Sequence, residues 1–335
     1  MTSVFADAKS KFSVVIATMI VLVFCIISGN YLMRKQISSS LVQFGKIDNA
    51  LLRFNTRICY KDLRKDNMGL MILMFSSVVI RSVIMIILID LDFLQSVTVF
   101  GVLSVKALTK YQFISYIKQL SKRFEKVNDT LKDIFERSTK DKIIFNHLTY
   151  GGVISEGILI MCRQHHHLCQ WMRILNNAFG LQQLTSIAVS VCNVLFQTYY
   201  LYFVLAENQI TILSIFTPLI WTLDEMMEIQ LLVTSCVEVC DNANSTAAIL
   251  HEMRNDNFNV SLEESIQTYS LQMLHQKIEF SAMGYFVIDY TLTYSIVGAV
   301  TTYLVIFIQF DQGSRKTEVI DSTDTVTVLP INNST

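Results

Sequence analysis

Proline is almost missing from this chain, with two residues in 335, and charged residues make up only 16% against 52% hydrophobic. That balance excludes a water-soluble globule, which needs more charge at its surface, and points to a helical chain built for lipid. Net charge is −1, so no basic surface awaits a polyanion and nucleic acid is excluded as a partner. The seven cysteines, at 25, 59, 162, 169, 192, 236 and 240, show no secreted-framework spacing and read as free thiols. There is no Gly-rich phosphate loop, Cys-x-x-Cys pair or nucleophile elbow, so neither a catalytic residue nor a cofactor is expected and the chain does not read as an enzyme.

What the chain has instead is long apolar runs. A helix needs about 20 largely apolar residues to cross a bilayer. Six such windows stand at 12–33, 69–91, 92–109, 182–206, 210–233 and 290–310, the third being the least hydrophobic. The first is too long for a signal-peptide core, and Asn30, Tyr31 and Arg34 make a poor cleavage site. Lys and Arg are retained on the cytoplasmic side. The connection 34–68 holds eight of them and 110–177 holds eleven, which makes both cytoplasmic, whereas the turns at 91–92 and 207–209 hold none. Alternation then places both termini outside. The Asn-x-Ser/Thr sites at Asn332 and Asn333 are compatible with that assignment.

The long connections carry helical periodicity. Phe113, Ile117, Leu120, Phe124, Val127, Leu131 and Ile134 step by four and three along one face. A second stripe runs Ile158, Met161, His165, Leu168, Met172, Leu175, Phe179, and a third runs Cys236, Cys240, Ala243, Ala247, Leu250. A fourth runs Leu262, Ile266, Tyr269, Met273. These stretches predict a helical bundle below the membrane. The fold class is therefore all-α: a polytopic transmembrane helix bundle with a cytoplasmic helical anchor region. Its segments are 1–109 (first spans and first link), 110–180 (long helical link), 181–236 (two spans), 237–289 (anchor helices), 290–310 (last span) and 311–335 (extracellular tail).

Several residues invite chemistry. His165, His166 and His167 with Cys162 and Cys169 resemble a metal site, but neighbours on a helix point about 100° apart and His165 falls in the apolar stripe. A packed histidine beside two exposed ones is the reading, with no metal site. Charges inside spans cost about 2.5–3.5 kcal/mol each on insertion scales, so they need a reason. Arg81 sits mid-span, in either an internal pair or a ligand contact. Asp224, Glu225 and Glu228 mark either an ion path or salt bridge, or the place where the fifth span leaves lipid and enters the bundle. In the last span, Ser295, Gly298, Thr302, Val305 and Gln309 step by three and four on one face, with Tyr303 and Phe310 on a neighbouring one. An amide in hydrocarbon costs several kcal/mol, so that stripe must meet another helix or water.

"TTYLVIFIQF" (301–310) resembles the Thr-Tyr, five-hydrophobic, Gln-Phe signature of insect gustatory receptors. "LQMLHQKIEFSAMGYFVIDYTLTYSIVGAV" (271–300) resembles the stretch before it in that family, and "RFEKVNDTL" (123–131) and "LNNAFGLQQL" (175–184) fall where related segments are expected. The resemblance covers most of the chain, and its final forty residues are the specific part. Thr302, Tyr303, Gln309 and Phe310 carry the signature.

The resemblance implies a seven-span, ligand-gated, non-selective cation channel in the plasma membrane of chemosensory neurons, tetrameric as a homo- or hetero-oligomer. The last span would line the pore through Ser295, Gly298, Thr302, Val305, Gln309 and Phe310, with Gln309 and Phe310 at the constriction. It implies a pocket for a small tastant in the outer half of the bundle, where Gln95, Tyr199, Tyr202 and Trp221 offer rings with polar tips. The chain departs from the family in showing six spans. The seventh is expected before residue 12, and without it poor surface expression or no current is expected. The alternatives are a G-protein-coupled type of multi-span chemoreceptor, a truncated non-conducting subunit, or a transporter. Neither Asp-Arg-Tyr nor Asn-Pro-x-x-Tyr occurs, and no paired Gly/Pro-broken helices appear in two related halves.

Overall fold

A computed structural model describes residues 38, 44–89, 93–141, 147–206, 211–253, 260–275 and 278–326. The expected span 12–33 and the tail sites Asn332 and Asn333 lie outside the described residues. Apart from 53–59, 211 and 278–289 the described residues are helical: α1 (described over 44–52), α2 (Tyr60–Ile89), α3 (Phe93–Asp141), α4 (His147–Ala206), α5 (Ile212–Met253), α6 (Val260–His275) and α7 (Tyr290–Val326). Among the described residues the β contribution is one isolated bridge, Ser281 to Val287.

Helix length is the first thing the structure adds. At 1.5 Å per residue, α3 with its 49 residues and α4 with its 60 extend about 74 and 90 Å, against about 30 Å of hydrocarbon. The expected spans 92–109, 182–206 and 210–233 are thus each continuous with the amphipathic stretch beside them, whereas the stretch 262–273 forms α6, a helix separate from α7. The segments 92–109 and 113–134 form α3, 158–179 and 182–206 form α4, and 210–233 and 236–250 form α5. Tyr60–Ile87, Ser155–Ala206 and Tyr290–Gly313 are long and apolar enough to cross a membrane. The segments 92–109 and 210–233 are diluted by Lys106 and by Glu225 and Glu228, all of which point inward at 1%, 1% and 6% exposure.

α2 carries its apolar residues on the outside as well as the inside. It buries a narrow stripe, Leu70, Met74, Val78 and Arg81, and leaves Ile72, Leu73, Ile80 and Ile87 exposed. A water-facing helix has the opposite polarity on its outer face.

The chain forms two compact units. The first comprises described residues within Met1–Val189 and Glu228–Leu292, and the second those within Ser190–Met227 and Thr293–Thr335. In the first unit the apolar stripes become the core. Phe113, Ile117, Leu120, Phe124, Val127 and Leu131 of α3 are fully buried, as is the α4 stripe from Ile158 to Phe179, with His165 in it. Burying each of these large side chains is worth about 1.5–3 kcal/mol. Cys236, Ala243, Ala247 and Leu250 of α5 and Ile266 of α6 join them. The small α5 residues let the helices approach closely.

Polar groups set the register. Ser121 donates to Glu238 at 2.9 Å and accepts from Asn242 at 2.9 Å. One turn-pair further on, Asn128 donates to the Asn242 carbonyl and to Ser245 and accepts from Thr246 at 2.6 Å. These bonds pair α3 with α5 at one setting only. Arg123, buried on α3, reaches both carboxylate oxygens of Asp48 at 3.0 Å and the Gln119 carbonyl at 3.0 Å, and stacks 3.8 Å over Phe44. Tyr60 also donates to Asp48. Phe44 in turn packs on Trp171, so α1 is fastened to α3 and α4.

Candidate functional site

α7 is the element where the chemistry of the sequence and the geometry of the fold meet. Its buried residues are Leu292, Ile296 and Val300, with Leu304 and Ile308 half-buried after them, each one turn beyond the last. At 100° per residue the centre of the stripe Ser295, Gly298, Thr302, Val305, Gln309 lies about 180° from that buried face. All five are exposed in the single chain. Tyr303 and Phe310 are also exposed, at 55% and 71%, on a flank between the two faces.

The hydroxyls on this helix meet their own backbone. Thr301 donates to the Val297 carbonyl at 2.8 Å and Thr302 to the Gly298 carbonyl at 2.9 Å. Threonine alone therefore does not force the stripe out of lipid. The Gln309 amide is different: it is exposed and bonds to none of the described residues.

Of the expected pocket residues in the second unit, the structure brings two together. Tyr199 and Tyr202 lie with ring centroids 6.2 Å apart, and Tyr199 meets Phe307 of α7 edge-on at 5.8 Å. Trp221 is buried, and its indole N–H donates to no described residue. It makes none of the ring contacts of the tyrosine pair. The side chain of Gln95 lies outside the described residues. Glu225, buried, accepts from Asn193 at 3.2 Å, and Asp224 is half-buried.

Arg81 is an internal pair. In the first unit it meets Glu228 at 2.7 Å, and Lys110 and Lys106 meet the other carboxylate oxygen at 2.5 and 3.4 Å. Three cations from α2 and α3 thus share one carboxylate on α5. The positive partners Lys106 and Lys110 were not singled out in the sequence. The histidine run resolves as packing: His165 Nε2 lies 2.9 Å from the Ala243 carbonyl, and its ring meets Phe124 edge-on. His166 is exposed and His167 half-buried.

A further feature was hidden in an apolar window. Gln183, Ser186, Ser190 and Asn193 of α4 step by three, four and three, and all are buried. The Gln183 carbonyl oxygen and the Ser186 and Ser190 hydroxyls bond to no described residue. Buried polar atoms are rarely left so, and water or a ligand is the usual answer. The spacing was the available signal.

A family-wide sequence description, 7tm chemosensory receptor, matches residues 11–314. The chain belongs to that family. Among curated proteins it is similar to Drosophila melanogaster gustatory receptor 28b, 31% identical over 159 residues that make up 45% of this chain and 33% of the relative. It is also similar to gustatory receptor 2a of the same organism, 30% identical over 158 residues, 41% of this chain and 37% of the relative. The chain thus spans about a third of the length of these relatives. Among solved structures it is similar to the olfactory receptor OR5 of Machilis hrabei in complex with eugenol. That likeness has a TM-score of 0.55 at 12% identity over 90% of this chain and 91% of that one, and shows a shared fold. This 7tm chemosensory receptor is accordingly an all-α membrane protein from a receptor family, not an enzyme family.

Proposed function

We propose that this receptor is a gustatory chemoreceptor subunit that works as a ligand-gated, non-selective cation channel, opened by a small molecule and located in the plasma membrane of chemosensory neurons. The observation that carries the reading is the polar stripe of α7 lying opposite the helix's buried face. A chain with its own core on one side of α7 and an amide-bearing stripe on the other has that stripe left over for an axis shared with other copies. Four Gln309 amides beside Phe310 rings would hydrate cations without fixed charge, and widening that apolar ring would let it wet. The resemblance of 301–310 to the gustatory signature supports the same residues. Relatives named as gustatory receptors and a structural neighbour solved with eugenol support a small organic ligand.

Tyr199, Tyr202 and Trp221 are the aromatic groups in the second unit that would meet such a ligand. Alanine at each of the three aromatic positions, followed by dose–response measurement at matched surface expression, is expected to shift potency severalfold in at least one variant. Unchanged potency at all three would remove them from the pocket. The reading of α7 is tested with Gln309→Ala, which is expected to change conductance or ion preference and to leave ligand potency nearly unchanged. A potency shift with unaltered permeation would contradict it.

A further inference from the structure

The described residues between α6 and α7, 278–289, carry almost no regular structure, yet they are bonded at several points. Ile278 is held from both sides by Asn244 of α5: its N–H donates to Oδ1 at 3.2 Å, and Nδ2 donates to its carbonyl at 3.2 Å. Ser281 is held by Asn176 of α4, with its N–H donating to Oδ1 at 2.8 Å and Nδ2 reaching its hydroxyl at 3.4 Å. Between them Phe280 is buried edge-on against Phe113 of α3, with centroids 5.8 Å apart. The segment then folds on itself, Ile288 N–H donating to Phe280 and Ala282 N–H to Phe286. The tight turn has positive φ at both central residues, Met283 at 51° and Gly284 at 78°. That is the backbone of a primed hairpin turn, which a methionine adopts only when its surroundings impose it.

The imposing surface is Gly180 of α4. A Cβ there would stand 3.3 Å from both the Met283 backbone nitrogen and its side-chain Cγ. One residue past the hairpin, Asp289 caps α7, accepting from the Thr291 N–H at 2.9 Å and its hydroxyl at 2.6 Å. Clamp, turn and cap follow one another without slack.

We propose that Asn176, Gly180 and Asn244 are positioning residues for α7, fixing its first turn to α4 and α5 through the 278–289 hairpin. Its consequence for gating rests on the reading of α7 as the pore helix: movement that opens the pore would be taken up beyond Leu292, with the base held.

The two asparagines predict different responses to the same substitution. Asn176→Asp keeps the acceptor for the Ser281 N–H, and the Ser281 hydroxyl can turn to donate to the new carboxylate. Asn244→Asp keeps one acceptor but sets a second oxygen against the Ile278 carbonyl. Hydrogen exchange by mass spectrometry on the whole chain in nanodiscs reads the difference. With Asn244→Asp, exchange is expected to rise tenfold or more over 278–288 and also at Thr291 and Leu292, with α2 and α3 unchanged. With Asn176→Asp it is expected to stay within about twofold of the parent. Gly180→Ala, which leaves both clamps chemically intact, is expected to accelerate the hairpin turn and the first turn of α7 together. If the hairpin loosens while Thr291 and Leu292 do not, or if both Asp variants behave alike, the proposal is overturned. Thr302→Cys labelling by a thiol reagent, run in parallel, reports on the pore reading separately. Failure to label with the exchange pattern intact would count against the pore and not against the clamp.

Discussion

Glu228 is the residue on which the most charge depends. Replacing it with Gln keeps the shape and removes the carboxylate shared by Arg81, Lys106 and Lys110. Breaking a buried pair of this kind costs about 3–5 kcal/mol, because the remaining charges stay in a poor solvent. Glu228→Gln is therefore expected to lower the thermal midpoint in detergent by many degrees, and an unchanged midpoint would show that the cluster is solvated. The sequence announced that Arg81 needs a partner, since an arginine amid Val78, Ile80 and Val83 has nowhere else to go. It did not announce which. Glu228 lies 147 residues away on a helix that also carries Asp224 and Glu225, and no local spacing links Arg81 to any one of them. The same holds for Arg123 and Asp48, separated by 75 residues and invisible to any periodicity.

At the scale of elements, the stripes were legible and the lengths were not. Apolar residues at three-four spacing identify the packed faces of α3, α4 and α5 directly, because burial acts on each turn separately. Whether a span continues into its neighbouring stripe depends on the absence of any breaker at the junction, and hydropathy windows end where charge begins. That is why 92–109 and 113–134 read as separate pieces of what is one helix. The ladder between α3 and α5 was also hidden, since Ser121, Asn128 and Thr246 are unremarkable polar residues in isolation. Asn128→Ala removes three bonds and leaves the buried Thr246 hydroxyl without its acceptor. A cost of about 2–3 kcal/mol is expected, with Asn128→Asp recovering the Thr246 bond and part of the stability. Equal midpoints for the alanine variant and the parent, in thermal unfolding followed by circular dichroism, would show that the ladder does not set the register.

At the scale of the whole molecule, α7 buries one face and leaves its polar stripe exposed. The buried face of α7 could be inferred from spacing only as one of several arcs, because nearly every residue from 296 to 308 is apolar and periodicity is weak there. Structure resolves the ambiguity by burying Ile296 and Val300, which sets Thr302 and Gln309 on the far side. The central claim is that this far side faces a water-filled axis. Single cysteines at 302, 303 and 309, expressed in the full chain and exposed to a membrane-impermeant thiol reagent with and without activating ligand, test it most directly. Cysteines at 302 and 309 are expected to label at least several times faster when ligand is present, and one at 303 to label slowly in both states. Inert cysteines at 302 and 309 in a conducting receptor, with labelling at 303, would place the stripe against protein or lipid and contradict the account.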